Sequence, residues 1–215
     1  MRVLIFGATG LIGNLLVQEC LSSTAISEVR IFVRKKINTN HPKLKQFICT
    51  YTTIDSIKNE LVGDVVFNCL GTTLKVAGSK EAQYEIDCSY PVKVAKLAAA
   101  NGIKTMVSVS SIGASATGNF YLKTKAEMES GVQNAIGKQS YFMRPSFLVG
   151  ERKESRLGEK IGIVLFSGIN YLLVGPLKKY KSIKAQYVAK AMLHIATEKP
   201  EQQIFYFADI IKRGK

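Results

Sequence analysis

Tryptophan is absent, histidine occurs only at His41 and His194, and 16 acids face 30 lysines and arginines. Each shortage excludes something. Two isolated imidazoles with no second ligand at metal spacing give zinc-type chemistry nothing to hold, so no metal is expected. The four cysteines (Cys20, Cys49, Cys69 and Cys88) contain no C-x-x-C pair. They read as buried, reduced thiols of a cytoplasmic protein, not as a disulfide framework. A secretory signal is lacking: the apolar run Val3 to Phe6 begins almost at once and ends in glycine, as a first strand does. Long hydrophobic runs are lacking too. Ile161 to Leu177 is uncharged, but it is short for a span and holds Ser167, Asn170 and Pro176. It reads as a helix packed on the core or over a pocket, and no transmembrane segment is expected.

Positive charge is what the chain has in excess, with a formal net charge of +14. Basic residues collect from Arg34 to Lys45 and from Lys178 to Lys190, and neither stretch contains an acid. Such a field attracts phosphorylated or otherwise anionic ligands. Nucleic acid is not an expected partner, because no RNP, KH or zinc-finger signature accompanies the charge.

Short β-branched runs alternate with helical patterns. Strands are expected at Arg2 to Phe6, Val29 to Val33, Gln46 to Thr50, Val65 to Cys69, Met106 to Val109 and Ser140 to Met143. Helices are expected at Leu11 to Leu21, from about Gln83 to Ala100 with Pro91 as a kink or first-turn residue, and at Phe120 to Ile136. This alternation predicts an α/β, doubly wound parallel sheet, the Rossmann fold, in one domain over residues 1–215. After Gly150 the pattern breaks. A helix from Ala185 to Thr197 and a last strand from Gln203 to Phe207 follow. Residues 150–215 are expected to form a small substrate-side cap and the closing strand.

Gly7, Gly10 and Gly13 lie at G-x-x-G-x-x-G spacing between the first strand and the first helix. The first glycine permits a tight turn, the second lets backbone approach a pyrophosphate, and the third lets helix pack on sheet. The helix amino terminus offers free N–H groups to phosphate. Gly7, Thr9, Gly10, Leu11, Ile12 and Gly13 are therefore candidate dinucleotide contacts. The second strand ends at Arg34-Lys35-Lys36, where NAD-specific folds place an acid. Arg34, with Lys35 behind it, suits a 2′-phosphate, which predicts NADP(H).

The fifth strand runs into Ser110-Ser111, and Tyr121 and Lys125 follow, four apart on one helix face. A free tyrosine at pH 7 is phenolate in only about one molecule in a thousand. A neighbouring cation favours the phenolate and makes such a tyrosine a usable acid/base, while a serine hydroxyl can hold a carbonyl or alcohol oxygen. The same Y-x-x-x-K spacing recurs at Tyr180 and Lys184, but in a basic loop with no serine-bearing strand before it.

These residues resemble the short-chain dehydrogenase/reductase superfamily, and more closely its atypical Tat-interacting-protein-like branch. The resemblance runs through Gly7 to Gly13, Cys69-Leu70-Gly71-Thr72-Thr73, Ser110-Ser111, Tyr121 to Lys125, Arg144-Pro145 and Glu154-Ser155-Arg156. It implies that Leu70, Gly71 and Thr72 line the adenosine and ribose, that Lys125 also binds the nicotinamide ribose, and that Arg34 and Lys35 hold the 2′-phosphate. Asp87 stands where typical members carry a relay asparagine, and Ser146 where they carry glycine after Arg-Pro. The expected activity is hydride transfer to or from a small carbonyl or alcohol substrate, with Tyr121 as acid/base and Lys125, Ser110 and Ser111 around it. The competing readings are a non-catalytic NADP(H) sensor and, against the shortness of the tail, a nucleotide-sugar epimerase. A monomer or small homo-oligomer is expected.

Overall fold

The computed structural model describes residues 1–149 and 180–215. Alternation in the first strand sets the layers. In β1 (Arg2–Phe6), Val3 and Ile5 point to one face of the sheet and Leu4 and Phe6 to the other, and all four are buried. A strand buried on both faces belongs in the middle of a parallel sheet. The chain continues through α1 (Leu11–Ser22), β2 (Glu28–Val33), β3 (Leu44–Ile48), a 3-10 turn (Ile54–Glu60) and β4 (Val65–Asn68). Then come α2 (Leu74–Ala77), α3 (Lys80–Tyr84), a π-helical turn (Glu85–Ser89), α4 (Tyr90–Ala100), β5 (Thr105–Val109), α5 (Phe120–Ile136) and β6 (Ser140–Met143). The described chain closes with β7 (Leu148–Val149), β8 (Ile183–Lys184), α6 (Ala185–Glu198), β9 (Ile204–Phe205) and α7 (Phe207–Gly214).

Among the described residues, seven strands form one sheet in the order β3-β2-β1-β4-β5-β6-β9. Every neighbouring pair is parallel. This is the Rossmann-type doubly wound sheet expected from the alternation. One face packs Val3, Ile5, Val65 and Phe67 against α1 and α6. The other packs Leu4, Phe6, Val66 and Met106 against α4 and α5. Each such aliphatic side chain, fully buried, contributes about 1.5–3 kcal/mol. Strand order reverses between β1 and β4, so the crevice at their carboxyl ends is where such sheets take ligands.

Several bounds differ from expectation. The third strand is Leu44–Ile48 and not Gln46 to Thr50, because the threonines after it turn the chain: Thr50 N donates to Thr53 Oγ1 at 2.9 Å. The last strand is only Ile204–Phe205. Tyr206 instead starts α7, its N–H held by Asp209 Oδ2 at 3.0 Å. The tail also divides. Residues of α6 (Val188, Met192 and Ile195) sit in the same core as Leu16 and Val17 of α1, so this part is a layer of the fold. The stretch expected to cap substrate, with the apolar run from Ile161 and the Glu154-Ser155-Arg156 match, lies outside the described residues.

Charge at the sheet edge has a measurable consequence. Burial raises the Glu28 carboxyl, but Lys45, Arg30 and Arg2 outweigh that and hold it at about 2. Its folded value is depressed, so its stabilisation is present above the unfolded carboxyl range near 4.5 and lost as pH falls toward 2. Glu28→Gln should therefore flatten the acid limb of a stability-versus-pH curve between those values, and an unchanged limb would refute it.

Candidate functional site

The crevice is built first from glycine. Gly7 leaves β1 with φ +77, and a Cβ there would stand 2.5 Å from the carbonyl of Cys69. A Cβ on Gly13 would overlap the carbonyl oxygen of Gly7. Neither obstacle is a side chain that could swing away. The turn closes with Gly10 N donating to Gly7 O at 3.0 Å, and Asn14 N to Gly10 O at 2.9 Å begins the helix. The first-turn N–H groups of Leu11, Ile12 and Gly13 thus precede the helical ladder. Gly10, the N-cap, brings no side-chain cap, and no acid stands in the first turn. Thr9 and Gly10 are exposed beside this end. A narrow cradle with unsatisfied donors and a positive helix end fits a pyrophosphate.

Two further walls meet this turn. Arg34 and Lys35 follow β2 directly, are exposed, and pair with no acid among the described residues. Opposite them, the chain after β4 is fixed at several points. Cys69 N donates to Phe6 O at 2.9 Å, Leu70 N to Asn68 Oδ1 at 3.1 Å, and Thr72 N to Asp87 Oδ2 at 3.3 Å. Leu70 packs on the core while Gly71 is exposed.

The third wall is α5, capped by the Asn119 side chain, which accepts from Leu122 N at 3.0 Å. Tyr121, Lys125 and Glu129 recur at four-residue intervals on this helix and descend from surface to core. Tyr121 is 36% exposed, Lys125 3% and Glu129 6%. Lys125 Nζ lies 5.9 Å from the centre of the Tyr121 ring, within cation–π reach. Its hydrogen bond goes elsewhere, to Asp87 Oδ1 at 2.6 Å. Asp87 is wholly buried.

Ser110 and Ser111 part company. Ser110 is buried and donates to Glu129 Oε1 at 2.5 Å. The same carboxylate receives Arg144 through Nε at 2.8 Å and Nη2 at 2.5 Å, and Arg144 Nη1 donates to the Tyr206 hydroxyl at 3.1 Å. The Ser110 hydroxyl is thus bound into a packing network that ties β5, α5, β6 and α7 together. Ser111 is half-buried, with its hydroxyl on the Ile112 carbonyl at 3.2 Å. Of the other tyrosine–lysine pair, Tyr180 is exposed, and Lys184 Nζ lies over the Tyr187 ring.

Glu129 was not singled out in the sequence, and Asp87 and Arg144 entered only through the resemblance, without the partners they take here, Lys125 and Glu129. Glu129 had a local signal, since it extends the Tyr121–Lys125 interval by one more step. Asp87 had its match to the relay-asparagine position, and locally only Pro91, four residues on. Burial pushes the Cys20 thiol up to about 12 and raises Cys49, Cys69 and Cys88 as well, which disfavours the thiolate at all four. A groove of about 750 Å³ between α4 and α5, lined by Val92, Lys96, Ala126 and Gly131 among others, includes neither Tyr121 nor the glycine turn. No cluster of metal-ligating side chains occurs among the described residues, and no helix among them is long and apolar enough to cross a membrane.

Comparison with known proteins adds an independent line. The sequence pattern of the NAD(P)H-binding family matches residues 7–199. The mitochondrial protein FMP52 of Candida albicans is 38% identical over 172 residues, covering 75% of this chain and 73% of that protein. Protein HTATIP2 of Rattus norvegicus is 33% identical over 172 residues, covering 78% of this chain and 71% of the relative. In fold, the Bordetella bronchiseptica enzyme WbmH in complex with NAD+ superposes with a TM-score of 0.68 at 15% identity, over 91% of this chain and 72% of that one.

Proposed function

The chain belongs to the NAD(P)H-binding family, in the Tat-interacting-protein-like branch of the atypical short-chain dehydrogenases/reductases, and on that premise we propose that it is an NADP(H)-dependent oxidoreductase of small carbonyl or alcohol compounds. The observation that carries this reading is Tyr121, exposed at the mouth of the crevice, one helical turn above buried Lys125. The nicotinamide, when bound, supplies or accepts the hydride. Gly7 to Gly13 would hold the pyrophosphate, Leu70 to Thr72 the adenosine side, and Lys125 the nicotinamide ribose. Tyr121 would give or take the proton at the substrate oxygen. Ser111, whose hydroxyl is not held by a carboxylate, would position that oxygen, and Ser110 would serve structure.

Arg34 and Lys35 support the choice of NADP(H), since exposed cations at this strand end suit a 2′-phosphate. One charge-assisted hydrogen bond contributes about 1.5–3 kcal/mol, or roughly 10- to 150-fold in affinity. Arg34→Asp should therefore cut NADPH affinity by about that factor and leave NADH affinity nearly unchanged. A wild type that binds both cofactors equally would refute the preference.

A second reading, a cofactor-binding sensor without turnover, has one observation in its favour: the Lys125 hydrogen bond goes to Asp87 and not to the Tyr121 hydroxyl. A panel of carbonyl compounds followed by NADPH oxidation separates the two. Turnover that falls by about 100-fold or more in Tyr121→Phe, with NADPH binding retained, is expected of the enzyme. Tight binding without Tyr121-dependent turnover on any panel member would favour the sensor. Four free cysteines fit a reducing compartment, cytoplasmic or mitochondrial.

A further inference from the structure

Lys125 does not stand alone beneath the crevice. Asp87 accepts from its ammonium at 2.6 Å through one carboxylate oxygen and from Thr72 N at 3.3 Å through the other. The pair lies directly under Gly71: a Cβ there would stand 3.4 Å from Asp87 Oδ1 and 3.8 Å from Lys125 Nζ. Gly71 itself is exposed. A lone backbone residue therefore separates a buried ion pair from the surface of the crevice. The other carboxylates nearby have partners of their own. Glu129 is engaged by Arg144, and Glu127 accepts from the Tyr84 hydroxyl at 2.7 Å.

The backbone that presents Asp87 is itself unusual. Residues Glu85–Ser89 form a π-helical turn between α3 and α4. Pro91, in the first turn of α4, cannot donate to the Asp87 carbonyl four residues back, and its ring crowds that carbonyl. A widened turn relieves both conflicts.

We propose that Asp87 sets the balance between oxidised and reduced cofactor at this site by cancelling the charge of Lys125. The inference rests on the reading that places the nicotinamide ribose on Lys125. An oxidised nicotinamide ring is cationic and a reduced one is neutral. An uncompensated lysine beside it would repel only the oxidised form. With Asp87 in place the pair carries no net charge, and both forms are accommodated. Asp87 thus acts through Lys125, as a positioning and charge-setting residue.

The test is a pair of equilibrium titrations, NADP+ and NADPH, on the full chain, with thermal melts to confirm folding. Asp87→Asn keeps an oxygen that can accept from Thr72 N, but removes the charge. The ratio Kd(NADP+)/Kd(NADPH) should rise about tenfold, the scale of one unit charge several ångströms away in a partly buried site. Lys125→Met should move the ratio in the opposite direction by a similar factor, since Asp87 then stands alone. The double variant Asp87→Asn/Lys125→Met should return it to within about twofold of wild type. The reversal of sign is what a merely structural role would not produce. If either single variant weakens both forms equally, the inference is overturned while the cofactor site stands. If the wild type binds neither form, the proposed function falls and the inference with it.

Discussion

Gly13→Val is expected to weaken dinucleotide binding on the order of 100-fold and to lower the thermal midpoint. A Cβ at residue 13 overlaps the Gly7 carbonyl oxygen and crowds the Ala8 Cα at 3.0 Å, and both obstacles are backbone. Relief requires α1 to move away from the end of β1. That motion separates the Leu11 and Ile12 N–H groups from the turn they complete, and it disturbs Leu16 and Val17, both fully buried. Overpacking of this kind costs about 1–3 kcal/mol. In a chain of this size each kcal/mol lowers the midpoint by about 2–4 °C. The loss of NADPH affinity should be larger, on the order of 100-fold, because every phosphate donor shifts together. Gly137→Ala separates the two effects. Gly137 has φ +84 at the end of α5, and a Cβ there would meet nothing within 4 Å. It should lose stability through backbone strain of about 1–3 kcal/mol and keep its cofactor affinity. NADPH titration of both variants decides the matter: a Gly13→Val protein that binds within about threefold of wild type would refute the cradle.

The glycine turn was legible because it is local. Gly7, Gly10 and Gly13 contact one another or the strand beside them, and their spacing carries that geometry in the sequence. The same holds for α5 and β6, observed at Phe120–Ile136 and Ser140–Met143 as expected. Asn119 caps that helix, and Gly137 with its positive φ ends it. The end of the chain was harder. Ile204 to Phe207 is a run of β-formers with no period long enough to choose a state. Asp209 decides it, by holding the Tyr206 N–H and starting a helix one residue after the strand stops. Strand alternation places Ser108 and Ser110 towards the α4 and α5 layer, yet it could not say that Glu129 would hold the Ser110 hydroxyl. Asp87 and Lys125 are 38 residues apart, and no propensity or spacing links them. What joins them is the packing of α5 beside the π-helical turn, a tertiary fact. The candidate site was therefore readable where backbone geometry makes it, and not where side chains from distant elements meet.

Glu129→Ala is expected to destabilise the fold more than any other single change considered, and to do so without touching the crevice. The side chain of Glu129 is 8% exposed and that of Arg144 15%. Removing the carboxylate leaves the guanidinium, among the described residues, with the Tyr206 hydroxyl as its hydrogen-bond partner, and strips Ser110 of its acceptor. Breaking a buried pair from one side costs about 3–5 kcal/mol, most of it the penalty of an uncompensated charge. By the same size scaling, the midpoint should fall by about 6–20 °C. Glu129→Leu/Arg144→Met removes both charges at similar volume, and it should recover most of that loss. Recovery measured against Glu129→Leu alone is what distinguishes an ion pair from simple packing, since Leu keeps the volume while Arg144 stays unpaired until it too is replaced. Tyr121 and Lys125 lie on the same helix, but Lys125 keeps its own anchor on Asp87. NADPH affinity in the double variant should therefore stay within about threefold of wild type. Thermal melts of wild type, Glu129→Leu, Arg144→Met and the double variant form a complete cycle. A double variant no more stable than Glu129→Leu alone would show that Glu129 does not act by neutralising Arg144.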